Sequence, residues 1–219
     1  MIKYHNLILI GSSHIAKQSV EEVRKTIERE KPKIIALELD HARLQALLSP
    51  QSKRSAIAII KKFGIKGWLF NSLGSYAEKT LGKYTEIKPG SEMRTALEFA
   101  KKEKIKIALI DQPIEITIKK LTKQITRKEK LKFLKDILSI PFTKKKIKFD
   151  IRTVPSQKLI DKIVNEVKIK YPTVYKILIE ERDMILAKQL KKIMEQEKGT
   201  ILAVIGAGHI KGVLRNIHG

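Results

Sequence analysis

The chain has 219 residues, enough for one well-filled domain, and a formal charge of +23 at pH 7. It contains no cysteine, which excludes a disulfide framework, a thiolate metal site and a cysteine nucleophile and suits a reducing compartment. No run of about 18 apolar residues occurs, so no membrane-spanning helix is expected, and Lys3, His5 and Asn6 argue against a signal peptide.

In chain order, the apolar run at residues 7–10 predicts a short buried strand, followed by Gly11-Ser12-Ser13-His14. Residues 19–30 place Val20, Val23 and Ile27 at helical spacing. With the next apolar run, 34–39, they make a strand-helix-strand unit for which a right-handed parallel crossover is expected. A short helix at 42–48 ends at Ser49-Pro50, and helical stretches follow at 53–63 and 68–83. Pro89-Gly90-Ser91 reads as a turn with Ser91 as N-cap of a helix over 92–102, which turns Met93, Leu97, Phe99 and Ala100 to the core. A third strand is expected at 105–110. From 113 to 198 the periodicity is helical, interrupted at Pro141, Pro155 and Pro172, and its last helix is long, running through Val174, Leu178, Asp183, Leu186, Leu190 and Met194. The last strand, 201–205, leads into Gly206-Ala207-Gly208-His209.

Four nearly continuous, β-branched runs predict strands covered on both faces. The expected fold is therefore α/β, a central, mostly parallel sheet of short strands flanked by helices. Residues 1–219 form a single domain in this reading, with a helical cap or subdomain at about 113–198 before the last core strand.

Lysine is spread over almost every predicted helix, as in a Lys- and Ile-biased proteome of archaeal or thermophilic type. The densest stretch, 116–148, holds twelve basic residues against Glu129 and Asp136, with only Phe133 and Phe142 to stack on bases. It reads as a solvated helix face rather than a nucleic-acid or anionic-membrane surface, so nucleic acid is set aside as a partner.

The two Gly-x-x-His turns put His14 and His209 at the C-terminal mouths of two core strands, the edge at which open α/β sheets collect ligands. Imidazole with carboxylate suits Zn, Mn or Fe. Neither the His-Glu-x-x-His zinc helix nor a phosphate-binding lysine loop is present. Glu38 interrupts a hydrophobic strand, and burying it requires a partner. It is either a structural ion pair with Arg43 or Arg182, or a ligand or general base. Glu92 opens a helix, where a carboxylate is also explained by the helix dipole. Asp111 is expected to cap the helix that follows it. Arg182, in Glu180-Glu181-Arg182-Asp183, reads alone as an ion-pair partner of a nearby acid.

In this order, Gly11 to His14, Ala36-Leu37-Glu38-Leu39-Asp40 with Arg43, Pro89 to Arg94, Leu109-Ile110-Asp111, Glu181-Arg182-Asp183 and Val204 to His209 resemble the TraB or pheromone-shutdown family. That family is related to the Tiki metallopeptidases and, more distantly, to erythromycin-esterase-like folds. The resemblance spans essentially the whole chain. It departs at Ala16 and Gln112, where relatives often carry a hydroxyl residue and an arginine, and is loose over 113–170. It implies a metal-dependent peptidase acting on small or unstructured peptides. His14, His209, Glu38 and Glu92 would hold a divalent metal (Mn, Co or Zn), and Glu38, Glu92 and Arg182 would be catalytic. Arg182 would stabilise the oxyanion or bind a substrate carboxylate. Gly11, Gly206, Gly208, Arg43, Arg94 and Asp111 would support them. The alternative is a protein of the same fold that captures peptides without cleaving them. Relatives often continue into a C-terminal membrane domain, so the chain is expected in the cytoplasm or peripheral to a membrane, associating through such a region. A homo-oligomer is compatible with the same reading.

Overall fold

The computed structural model describes residues 1–12, 17–49, 90–139 and 156–219. His14, the helical stretches expected at 53–63 and 68–83, and the basic run from Lys144 to Lys148 lie outside these residues. The protein is α/β. Strands β1 (Ile2–Tyr4), β2 (Leu7–Ser12), β3 (Ile34–Leu37), β4 (Lys106–Leu109) and β5 (Ile201–Gly206) form one sheet in the order β1-β2-β5-β3-β4. All neighbours are parallel except β1, which pairs antiparallel with β2, Ile2 opposite Leu9. The strand β1 was not expected as a separate element. It is an exposed edge of only three residues, too short and too polar to produce a pattern. The His5 turn closes it onto β2 with a left-handed backbone, φ 49°.

Side-chain alternation divides the core into two layers. On one face Ile8, Ile10, Ile35, Leu37, Leu202 and Val204 pack against helices α1 (Lys17–Glu30) and α3 (Ser91–Lys102). On the other, Leu7, Leu9, Ala36, Ile201, Ala203 and Ile205 pack against α8 (Glu181–Gln196) and α9 (Ile210–His218). The central strand β5 is entirely buried, which is why it reads as an unbroken apolar run. Between β3 and α3 lies the short helix α2 (His41–Leu48).

Helices α4 (Ile114–Gln124), α5 (Arg127–Ser139), α6 (Gln157–Lys170) and α7 (Pro172–Tyr175) occupy the expected helical region between β4 and β5. Thr126 and Glu129 start α5 with a reciprocal capping box: the Glu129 N–H donates to Thr126 Oγ1, and the Thr126 N–H donates to Glu129 Oε2. Arg127, Lys128, Lys130, Lys132 and Lys135 on α5 are exposed. No described helix is long and apolar enough to cross a membrane.

Two local expectations are corrected. Gly90, not Ser91, precedes the first turn of α3, with φ 79°, a left-handed conformation that suits glycine. The long last helix is not uniformly α-helical. Residues Lys176–Glu180 form a π-helical turn, in which the Glu181 N–H donates to the Lys176 carbonyl, and α8 continues from it without a break.

Candidate functional site

The C-terminal ends of β2, β5, β3 and β4 lie side by side, and each ends in a polar group. The same alternation that builds the core aims them. Glu38 follows β3 with the parity of Ala36 and therefore faces α8. On α8 the core stripe Leu186 and Leu190 continues one turn back to Arg182, so Arg182 meets Glu38 over the end of the sheet.

Arg182 is the centre of the cluster. Its Nη2 donates to Glu38 Oε1 and, at 2.5 Å, to Asp111 Oδ2. Its Nε lies 3.1 Å from Asp111 Oδ2, and its Nη1 lies 3.2 Å from His209 Nε2 and 3.4 Å from the Leu178 carbonyl of the π turn. A guanidinium has five N–H donors, and here all are directed at acceptors. The second oxygen of Glu38 accepts from the Gly206 N–H at 2.5 Å, which locks the end of β3 to the end of β5. Burial disfavours a charged Arg182, but Glu38 and Asp111 outweigh that and hold its pKa above the ordinary arginine value.

Asp111 was expected to cap the next helix. It does not: Pro113 precedes α4 without a side-chain cap, and the Asp111 side chain, 0% exposed, lies between Arg182 and Arg43. Arg43 Nη2 donates to it at 2.5 Å, and the Gln112 N–H donates to its other oxygen at 2.8 Å. Burial alone would raise its pKa. The two guanidinium groups reverse this and hold it below the ordinary carboxylate range. Asp40 takes the capping role instead. It caps α2 by accepting the Arg43 N–H at 2.8 Å and also receives the Ile114 N–H of α4 at 2.8 Å. Burial raises its pKa, but the Arg43 and Ile114 donors outweigh burial and set it below normal.

His209 leads into α9, 5% exposed. Its Nε2 is 3.5 Å from Glu38 Oε1, and its Nδ1 is 2.6 Å from Asp183 Oδ1. Burial pushes Asp183 above the ordinary carboxyl range, and His209 only partly offsets it. One strand over, Glu92, 1% exposed, accepts the Ser12 hydroxyl at 2.9 Å. Ser12 pairs in register with Gly206, and its carbonyl accepts the Ala207 N–H. The Glu92 carboxyl is therefore more than a helix-start charge: it binds the mouth of β2.

The structure thus brings together Glu38, Asp111, Arg182 and His209, with Arg43 on their flank and Glu92 on the neighbouring strand end; His14 lies outside the described residues. Arg94 is elsewhere. It is exposed and donates to the Leu47 carbonyl, tying α3 to the end of α2. Gly11 has a packing role, since a Cβ there would lie 3.0 Å from Ile210 Cγ1 and 3.2 Å from Ala207 Cα. At Gly208 a Cβ would meet only Val164, at an ordinary 3.7 Å. Sequence reasoning gave no site role to Asp183 or Ser12, and read Asp40 only as a charged group ending its strand. The signals for them were the acid adjacent to Arg182 and the hydroxyl that closes β2.

Arg182, expected to stabilise an oxyanion or bind a substrate carboxylate, here directs its donors at Glu38, Asp111, His209 and the Leu178 carbonyl. The same contact bears on the divalent metal. Glu38 Oε1 and His209 Nε2 already face a guanidinium, and the described residues contain no group of three or more acidic or imidazole ligands able to hold a metal. Of the expected ligand set, Glu38 and His209 face Arg182, Glu92 faces Ser12, and His14 lies outside the described residues.

A parallel sheet whose strand mouths carry an arginine-centred cluster of carboxylates and one imidazole defines the class: an α/β protein with a buried polar site at the edge where such sheets bind ligands. Residues 3–218 match the TraB/PrgY/gumN family, and the chain belongs to it. It is 35% identical over 214 residues to an uncharacterized protein of Methanocaldococcus jannaschii, a match covering 96% of this chain and 53% of that protein. It is 22% identical over 235 residues to the TraB domain-containing proteins of Bos taurus and Homo sapiens, covering 95% of this chain and 61% of each. The chain therefore spans between about half and three fifths of the length of these relatives.

Proposed function

We propose that the chain is a hydrolase of small or unstructured peptides, with His209 as the proton-transferring group. The observation that carries this reading is an imidazole, 5% exposed, between two carboxylates at the mouth of the central strand. Glu38 is a poor base, because Arg182 and the Gly206 N–H both stabilise its charged form. The His209 imidazole lies at the same mouth, and an imidazole can both take up and release a proton. In this scheme water approaches Nε2 in place of Arg182 Nη1. Its oxygen adds to the scissile carbonyl carbon as its proton passes to Nε2. The C–N bond then breaks, and the same proton leaves with the amine. The site groups are almost fully enclosed, so an extended, flexible chain suits it better than a folded protein.

The second reading is capture without cleavage, and the saturation of Arg182 favours it, since the cluster is closed as it stands. The two separate in one experiment. A panel of unstructured peptides is incubated with the protein and followed by mass spectrometry, with peptide binding measured in parallel. Hydrolysis predicts cleavage by the wild type and its loss in His209→Ala at retained fold. Binding equal in both proteins, with no cleavage by either, supports capture.

A further inference from the structure

Asp183 enters the scheme above only as one of the two carboxylates beside His209, and Gly212 not at all, yet of the described glycines Gly212 has the least room for a Cβ. Asp183 is the first residue of α8 past Arg182, 2% exposed, and Gly212 lies in the first turn of α9. A Cβ built on Gly212 would lie 1.7 Å from Asp183 Oδ2 and 2.4 Å from its Cγ. Those are carboxylate atoms held between two packed helices, so alanine at 212 must displace them. The space left by the missing side chain is where the carboxyl group sits.

The other face of that carboxyl is the 2.6 Å contact from Oδ1 to His209 Nδ1. The proton on the ring is then decided by its second neighbour. Arg182 Nη1, 3.2 Å from Nε2, can only donate. Glu38 Oε1 lies farther from Nε2, at 3.5 Å, so the shorter Arg182 contact points to a lone pair on Nε2 facing the guanidinium and a ring hydrogen on Nδ1 facing Asp183. Two groups on consecutive residues of one helix thus set both nitrogens of the same imidazole. Arg182 is aimed by the last turn of the π segment, whose Leu178 carbonyl it also contacts.

We propose that Asp183 is a positioning residue for His209, held by the space at Gly212, and that the pair fixes the ring as the Nδ1–H tautomer with Nε2 facing the strand mouths. This rests on His209 being the working group of the site, but its test does not need turnover.

The test is proton and nitrogen-15 NMR of the histidine side chains in the whole chain at neutral pH, with His209 assigned by the loss of its signals in His209→Gln. The wild type is expected to show an unprotonated Nε2 and a protonated Nδ1 whose hydrogen is slow to exchange and shifted far downfield. Asp183→Ala and Gly212→Ala are each expected to abolish the slow, downfield proton. Asp183→Asn, which keeps an acceptor oxygen, is expected to keep a slow proton at a less extreme shift. Amide spectra report whether each variant folds, and the Asp183 variants carry the test if Gly212→Ala does not. A wild-type ring protonated at Nε2, or a downfield Nδ1 proton that survives in folded Asp183→Ala or Gly212→Ala, overturns the proposal. Loss of the proton in these variants while wild type cleaves no peptide would uphold the positioning pair and count only against hydrolysis.

Discussion

Replacing Arg182 with methionine keeps much of the side-chain volume and removes the charge at the centre of the cluster. The structure shows what is left behind. Asp111 keeps Arg43 at 2.5 Å and the Gln112 N–H at 2.8 Å. Glu38, 6% exposed, loses its guanidinium and keeps the Gly206 N–H. Removing one partner of a buried ion pair costs about 3–5 kcal/mol, mostly as the penalty of leaving the other charge in place. Because Asp111 retains Arg43, the cost is expected to come from the carboxylate of Glu38 losing its guanidinium and not from both acids. For a chain of this length about 1 kcal/mol corresponds to a melting shift of about 2–4 °C, so Arg182→Met is expected to melt roughly 6–20 °C below wild type. Urea unfolding measures it directly. The origin is tested by adding Glu38→Gln: with that carboxylate charge removed, the double variant is expected to be more stable than the sum of the singles by about 0.5–3 kcal/mol. A cost below about 1 kcal/mol, the range of exposed ion pairs, or strict additivity would refute the buried, coupled cluster described above.

Two further outcomes are expected. Asp111 and Asp40 both have folded pKa values held below normal. Their contribution is full above the unfolded Asp value of about 3.9 and is lost as pH falls through the lower folded values. The acid limb of a urea midpoint against pH should therefore be shallower in Asp111→Asn than in wild type, and an equal slope would contradict the assignment. Because Arg182 faces Glu38 and His209, dialysis against a chelator is expected to leave the wild-type melting temperature unchanged, and added Mn, Co or Zn is expected not to raise it. A rise of several degrees on adding metal would mean that Arg182 yields its acceptors and that His14 completes a ligand set.

The layers of the fold were legible because burial leaves a mark on sequence. Doubly covered strands such as 201–205 are continuous apolar runs, and α1 and α3 show one apolar stripe each. The edge strand β1 left none, since Lys3 is exposed and three residues are too few for a period. Within the site, Glu38 was legible as a carboxylate interrupting a strand, and one of its two expected salt-bridge partners, Arg182, is the observed one. Which acid caps and which is buried was not legible. Asp40 and Asp111 both precede a helix, and only the sheet order, which sets β4 beside β3, allows Asp40 to reach the Ile114 N–H and leaves Asp111 to the arginines. The π turn has no one-dimensional signature either. Its residues Lys176 to Glu180 are ordinary helix formers, and the extra residue per turn shows only in the hydrogen bond from Glu181 to Lys176.

Charge gives a last reason to place the working end of the molecule at the strand mouths. Acidic residues are scarce in this chain, 23 against 46 lysines and arginines. Yet Glu38, Asp40, Glu92, Asp111 and Asp183 all have buried side chains at this one edge. Among the described residues, Arg43 and Arg182 pair with them, and Arg215 lies near Asp183. Among the described residues of this edge the carboxylates outnumber the guanidiniums, a concentration of acid within a strongly basic protein. In the proposed function, an acidic edge of this kind would attract the amine end of a peptide. The basic helix faces are exposed and scattered, where counterions screen them within about 10 Å at ordinary salt. Burial protects the acidic edge from that screening. Under the proposed function, an acidic edge of this kind suits a peptide rather than a polyanion, and the same side chains hold the four strand ends together.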